Sequence, residues 1–219
     1  MSVGITPSAV EEALGRHDAL EIPPLPGRRN HLRAAVLVPL IWDAELVTVL
    51  TVRSANLRLH AGEVVFPGGR REPADVDLAA TAVREAREEV GIEGARILGT
   101  LSSIPLYTSD YRLEPFVAEV PVQRLCAQES EVAAILRVPV VQLVRREWVH
   151  AIPWTRPDGR ESLSPVFEIE GSVVYGGTAY VLYELLEVMA PLVGEQAPSK
   201  RAGRYRWSDV LGPRAPQGT

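Results

Sequence analysis

Residues 62–92, GEVVFPGGRREPADVDLAATAVREAREEVGI, constrain this chain more than any other stretch. Leu78, Ala79, Ala82, Val83, Ala86 and Val90 recur at helical spacing and supply one apolar side. Glu85, Glu88 and Glu89 stand at i, i+3 and i+4, so a helix brings them onto one face with Cβ atoms about 5–6 Å apart. Three like charges crowded there disfavour a bare helix, and a compensating cation is expected. Oxygen-rich sets of this kind suit hard divalent ions such as Mg²⁺ or Mn²⁺. Gly91 is placed to close the helix, which is predicted from about Asp77 to Val90. Upstream, Phe66-Pro67-Gly68-Gly69 lets the backbone turn tightly and approach a ligand where a side chain would block it. Taken alone, an E-x-x-E-E is more often a solvated face, here neutralised by Arg84 and Arg87. The preceding glycine turn and the acidic loop with Glu72, Asp75 and Asp77 favour a face held rigidly opposite the turn.

The rest of the chain fits one globular domain with appended ends. At 219 residues it is long enough to bury a sizeable core. The formal charge of −5 argues against nucleic-acid or anionic-membrane binding through bulk electrostatics, while leaving room for a local basic pocket. One cysteine, Cys126, excludes an internal disulfide and suits a reducing, cytoplasmic setting. The N-terminus lacks the basic start and apolar run of a secretory signal, and the longest apolar stretch, Ala34 to Trp42, is too short to span a bilayer.

Along the chain, Thr6-Pro7 opens a short helix to about Arg16. Ile22 to Gly27, rich in proline, is a linker or extended arm. Strands are predicted over Ala34 to Trp42, Leu46 to Arg53, Ala95 to Ile104 and Leu113 to Val120. Glu131 to Leu136 is a strand or turn, Val140 to Arg146 a helix, and Val166 to Glu170 pairs with Ser172 to Tyr175 about Gly171. Thr178 to Val193 is the last helix. The domain is thus expected at residues 33–193, after an N-terminal helix and arm (1–32) and before a mobile tail (194–219). Periodicity alone supports an α/β or α+β domain.

The segment from Gly69 resembles the Nudix box of the Nudix hydrolases, G-x5-E-x7-R-E-U-x-E-E-x-G-U with U aliphatic. Gly69 opens it, and Arg84, Glu85, Glu88, Glu89, Gly91 and Ile92 complete it. It departs in two places. Asp75 stands at the first acidic position, eight residues instead of seven before Arg84, and Ala86 is a small residue at a U position. Asp77 is an alternative occupant of the first acidic role. Leu50 to Gly69, LTVRSANLRLHAGEVVFPGG, is similar to the segment before the box in coenzyme A pyrophosphatases. Tyr107-Thr108-Ser109, Glu114-Pro115-Phe116-Val117, Glu131-Val132 and Gly176-Gly177-Thr178-Ala179 extend that similarity, which covers roughly residues 33 to 190.

The resemblance implies a Nudix fold, a mixed β-sheet sandwiched between α-helices. It implies Mg²⁺- or Mn²⁺-dependent hydrolysis of the pyrophosphate of coenzyme A or its derivatives, giving 3′,5′-ADP and 4′-phosphopantetheine. Other nucleoside diphosphate derivatives (ADP-ribose, NADH, dinucleoside polyphosphates) are the alternative substrates, and a non-catalytic nucleotide-binding module is the alternative of a different class. By analogy Glu85, Glu88 and Glu89 are the metal ligands, with the Gly69 carbonyl a further candidate. Glu85 either ligates or handles the attacking water. Arg84 pairs with a box carboxylate and fixes its rotamer. Glu131 is the candidate general base from outside the box, and His60 is either a second acid/base candidate or a structural histidine. Arg53 and Arg58 are candidate phosphate partners, since guanidinium forks match phosphate oxygens. Tyr107 and Thr108 either touch substrate or hold a loop. A homodimer is expected from the family and the apolar arm.

Overall fold

The computed structural model describes residues 4–57, 60–156 and 159–211. Its elements in chain order are α1 (Pro7–Arg16), β1 (Leu32–Trp42), β2 (Leu46–Arg53), β3 (Val64–Val65), β4 (Gly68–Arg70) and α2 (Leu78–Val90). Then come β5 (Arg96–Thr100), β6 (Ile104–Pro105), β7 (Tyr111–Val120), β8 (Val132–Pro139), α3 (Val140–Val144) and β9 (Trp148–Thr155). The chain continues through β10 (Glu161–Ile169), β11 (Ser172–Val174), α4 (Gly176–Met189), a 3-10 turn (Ala190–Val193), β12 (Ser199–Ala202) and α5 (Trp207–Leu211).

β1 is the centre of a mixed sheet. It runs parallel to β7 from Leu32↔Tyr111 to Ile41↔Val120. On its other edge β2 pairs only with residues 40–42, and β4 pairs with residues 34–36. The first two long strands therefore part company, and the gap between them is filled by the glycine turn. β3 and β8 flank β2, while β5 and β6 flank β7.

The alternation of β1 explains the layering, because successive side chains point to opposite faces. Ala35, Leu37 and Ile41 pack in one core with Ala82, Ala86 and Val90 of α2. Val36, Val38 and Leu40 enter a second core with Val10 and Leu14 of α1 and Leu182, Leu185, Leu186 and Met189 of α4. The sheet is thus sandwiched between helices, as in the expected fold. Truncating a fully buried residue such as Leu37 to alanine is expected to cost about 2–5 kcal/mol. A second sheet, ordered β11-β10-β9-β12, extends the structure.

Several elements differ from expectation because of contacts with distant segments. The strand predicted over Ala95 to Ile104 breaks into β5 and β6. Ser102 leaves the sheet because its N–H and hydroxyl donate to the Glu184 carboxylate of α4 at 3.0 and 2.6 Å. Ser103 instead pairs with the N-terminal arm, its N–H donating to Leu20 O at 2.8 Å and its carbonyl accepting from Ile22 N at 3.1 Å. The last helix begins at Gly176 and gives way to the 3-10 turn where Pro191 lacks an amide hydrogen. The stretch from Gly194, expected to be a mobile tail, holds β12 and α5. Parallel pairing with β9 satisfies one edge of β12, the Tyr183 hydroxyl donates to Pro198 O at 2.8 Å, and Lys200 lies 4.0 Å from the Tyr183 ring centre. β9 itself carries no alternation that sequence reading could detect, since Pro153 and Trp154 interrupt it. Among the described residues no helix is long and apolar enough to cross a membrane.

Candidate active site

The acidic helix α2 is fixed at both ends by its own sequence. Asp77 caps the start, its Oδ1 accepting from Ala80 N at 2.8 Å. Gly91 closes it in the left-handed region (φ 71°), a conformation that glycine adopts without Cβ strain. The small side chains of Ala82 and Ala86 let the helix lie close against β1.

Asp75 is buried in the loop before the helix and has a different task from Asp77. Its Oδ1 accepts from Arg84 Nε and its Oδ2 from Arg84 Nη2, both at 3.0 Å. Oδ2 also accepts from Glu72 N and Thr81 Oγ1, each at 2.9 Å. The Arg84 guanidinium, then the Glu72 amide, hold the Asp75 carboxyl well below the usual carboxylate range. Asp75, not Asp77, is therefore the partner of the box arginine, and the extra loop residue leaves that pairing intact. Arg84 also donates to Arg70 O at 3.0 Å, Glu85 Oε1 at 3.1 Å and Glu88 Oε2 at 2.9 Å. One guanidinium thus ties the loop, the glycine strand and two carboxylates together.

Glu89 is 3% exposed, and its Oε2 accepts from Gly68 N at 3.2 Å. Burial pushes its carboxyl up to about 7. The Gly68 amide and Arg53 counter that, whereas the charges of Glu85 and Glu131 add to it. Glu85 is also raised, first by burial and then by Glu88 and Glu131, with Arg84 opposing. Glu131 therefore lies within electrostatic reach of both box carboxylates. Two contacts bring it there: Gln128 N donates to Glu89 O at 2.9 Å, and Ser54 N donates to Glu131 O at 2.8 Å.

The glycine turn is equally specific. A Cβ on Gly69 would stand 2.3 Å from Glu85 Oε1, and one on Gly68 would stand 2.3 Å from Ala35 O and 2.7 Å from Val36 Cα. Gly68 accepts no side chain while β4 stays paired with β1, and a side chain at Gly69 would have to displace the Glu85 carboxylate.

The donor set fits a dication. The Glu85 and Glu89 carboxylates are partly desolvated and raise one another, and each gives only one oxygen to the hydrogen bonds described above. A cation at that face would relieve the repulsion and favour the charged forms. Among the described residues no three acidic, histidine or cysteine side chains converge as a ready-made cage, and both Glu85 and Glu88 accept from Arg84. A shallow groove of about 430 Å³ lies on the other flank of α2, lined by Ala79, Val83, Ile92 and Ile97. Glu85, Glu88 and Glu89 do not border it, whereas Arg84 and Glu93 do.

The remaining candidates divide. Arg53, at the end of β2, has a buried Nε with no hydrogen-bond partner among the described residues, and its charge acts on Glu89. Arg58 lies outside the described residues. His60 (φ 59°) pairs through Nδ1 with Glu63 Oε2 at 2.8 Å in the turn before β3, which favours the structural reading. Tyr107 is 41% exposed, and its carbonyl accepts from Arg28 Nε at 3.0 Å. No hydrogen bond joins its side chain to the box among the described residues. Two participants escaped sequence reading. Arg70 stacks on Tyr111 (4.7 Å to the ring centre) while its carbonyl holds Arg84, and Asn30 ties down the loop before Tyr111. The double arginine after Gly69 was a visible signal for the first; a lone asparagine in an arm was none for the second.

Comparison with known proteins places the chain in a family. The NUDIX domain family matches residues 31–158. An uncharacterized Nudix hydrolase, NudL, from Photorhabdus laumondii is 36% identical over 174 residues, covering 77% of this chain and 91% of that protein. Its namesake from Citrobacter koseri is 36% identical over 160 residues, covering 71% and 82%. A solved NUDIX hydrolase from Alicyclobacillus acidocaldarius aligns with a TM-score of 0.41 at 20% identity, over 52% of this chain and 81% of that one.

Proposed function

Because this chain belongs to the Nudix family, we propose that it hydrolyses the pyrophosphate bond of coenzyme A or its derivatives, releasing 3′,5′-ADP and 4′-phosphopantetheine or its acyl form. It is a Nudix hydrolase, and a nucleoside diphosphate derivative is the class of substrate that membership supports. Nudix hydrolases generally use divalent metal ions. Mg²⁺ or Mn²⁺ is proposed for this one.

One observation carries the catalytic part: the Glu89 carboxylate is buried against the glycine turn, accepting from Gly68 N at 3.2 Å, with Glu85 one turn earlier on the same face of α2. A bound dication there supplies charge neutralisation at the pyrophosphate and a lower pKa for the attacking water. Glu85, Glu88 and Glu89 would hold it, with the Gly69 carbonyl a further ligand. Arg84 fixes the orientation of Glu85 and Glu88 through its bonds to Asp75 and Arg70 O. Glu131, whose charge is felt at both Glu85 and Glu89, is proposed to take the proton of the attacking water. Arg53 is proposed to bind a substrate phosphate, which would give its buried, unpaired Nε a partner.

Coenzyme A is favoured over other substrates by Leu50 to Gly69, similar to the segment that precedes the box in coenzyme A pyrophosphatases. A chain that only bound nucleotides would have no use for a full carboxylate set clamped by Arg84. The decisive experiment is chromatographic product analysis after incubation with coenzyme A, Mg²⁺ or Mn²⁺, and a panel of ADP-ribose, NADH and dinucleoside polyphosphates, with Glu88→Gln as control. Products strongest from coenzyme A and lost in Glu88→Gln support the reading. Turnover of another nucleotide alone overturns the substrate but keeps the chemistry. No metal-dependent turnover of any compound puts the binding module first.

A further inference from the structure

The N-terminal arm reaches the neighbourhood of the box through one buried residue. Asn30 is 1% exposed and sits in the left-handed region (φ 43°), where asparagine is among the few side chains tolerated. Its Nδ2 donates to three carbonyls of one loop: Leu106 O at 3.0 Å, Ser109 O at 3.1 Å and Tyr111 O at 3.0 Å. Its Oδ1 accepts from Leu25 N at 3.0 Å, closing the arm on itself. Two neighbours reinforce the clasp, Arg28 Nε donating to Tyr107 O and Arg29 N to Asp110 Oδ1, each at 3.0 Å.

The clasped loop is not remote from the carboxylates. Tyr111, its last residue, lies under the Arg70 guanidinium, and Arg70 follows Gly69 and accepts from Arg84. Leu106 of the loop and Leu113 of β7 close on Gly177 at the start of α4, where a Cβ would meet them at 2.7 and 3.0 Å. A short chain of contacts therefore runs from Asn30 through Tyr111 and Arg70 to Arg84, without passing through the apolar core. None of these contacts involves Glu85, Glu88 or Glu89 directly.

From this arrangement we infer that Asn30 is a positioning residue for substrate: its amide clasps the 106–111 loop so that the Arg70–Tyr111 stack is held beside the box. The inference rests on the pyrophosphohydrolase reading and adds a specificity element to it. Removing the amide leaves Leu106 O and Ser109 O without that donor, leaves Tyr111 O with only the Leu106 amide, and loosens the loop. The carboxylate face keeps its own anchor in the Asp75–Arg84 pair. The defect should therefore fall on substrate capture and not on the chemical step.

The test uses Asn30→Gly, which keeps the backbone conformation but removes the clasp, and Asn30→Asp, which keeps the shape but cannot donate. Two readouts are taken on the full chain. Amide hydrogen exchange without substrate is expected to speed up at least about 10-fold in residues 106–111, while α2 keeps its protection. Steady-state kinetics with coenzyme A and Mg²⁺, or with whichever panel nucleotide the wild type hydrolyses best, should show KM raised at least about 10-fold and kcat within about 3-fold. Unchanged loop exchange overturns the clasp. A loosened loop with unchanged KM, or a loss confined to kcat, overturns the positioning role. A wild type that hydrolyses nothing sinks the enzymatic reading instead, and the exchange data still decide the clasp. If Asn30→Gly fails to fold, Asn30→Asp carries the same comparison.

Discussion

Arg84 Nε and Nη2 grip Asp75 Oδ1 and Oδ2 at 3.0 Å each, and this fork ties the loop before α2 to the helix that carries the three carboxylates. The pair lets a loop one residue longer than the general pattern still deliver Glu85, Glu88 and Glu89 on one face. It also separates two aspartates that the sequence leaves interchangeable, since Asp77 caps the helix while Asp75 anchors the arginine.

Replacing those aspartates should have different consequences. Asp77→Ala removes an N-cap and should cost about 1 kcal/mol with little change in kcat. Asp75→Asn removes the charge and one of the two oxygens that accept from the Arg84 fork, and should lower both melting temperature and turnover. Thermal melts and kinetics on the two variants check this; equal effects on kcat would remove the distinction. Asp75 is held below the ordinary carboxylate range, so it stabilises the fold above that range and the contribution is lost as pH falls through its folded value.

Glu89→Gln separates function from stability in the opposite sense. Turnover should fall at least about 10²-fold, as for the loss of a major electrostatic contributor. The metal-free protein should melt no lower than the wild type, because the substitution removes a buried charge whose carboxyl sits near 7 and not its ordinary 4.5. That gap corresponds to roughly 3 kcal/mol at high pH. Activity within a factor of about two at saturating metal would show that Glu89 is not a ligand.

The same group sets a pH dependence. Its folded value lies above the unfolded one, so the folded state holds the proton more tightly. The resulting stability is fully present below pH 4.5 and is lost as pH rises through about 7. Glu85 is shifted in the same direction. Metal-free protein should accordingly melt lower at pH 8 than at pH 6, and saturating Mg²⁺ should raise the melting temperature more at pH 8, where protons no longer compete for the carboxylates. Calorimetric scans at the two pH values, with and without the ion, test it; equal Mg²⁺ shifts would count against binding at Glu85 and Glu89.

The two glycines of the turn should respond differently to alanine. At Gly68 the new Cβ meets backbone, Ala35 O at 2.3 Å and Val36 Cα at 2.7 Å, so β4 must separate from β1. At Gly69 it meets the end of a side chain, Glu85 Oε1 at 2.3 Å, which can rotate away. Gly68→Ala should therefore mainly destabilise the fold, and Gly69→Ala should fold but lose turnover through a displaced Glu85. Melting temperature and kcat measured on both variants would expose a reversed order.

By itself the sequence determined the local parts of this protein. Helical spacing from Leu78 to Val90, a cap at Asp77 and a stop at Gly91 specify α2 and its acidic face, since these are interactions among near neighbours. The apolar runs of β1 and β2 were legible for the same reason. Tertiary structure alone decided which of Asp75 and Asp77 meets Arg84, where the strand after Ala95 breaks, and that residues 199–202 join a sheet as β12. It also decided that Glu131 reaches the electrostatic field of Glu85 and Glu89, and that Asn30 clasps a loop about 80 residues away in the chain. Those outcomes depend on hydrogen bonds and charges between segments distant in sequence. Their energies arise only once the sheet has brought the partners together and excluded water.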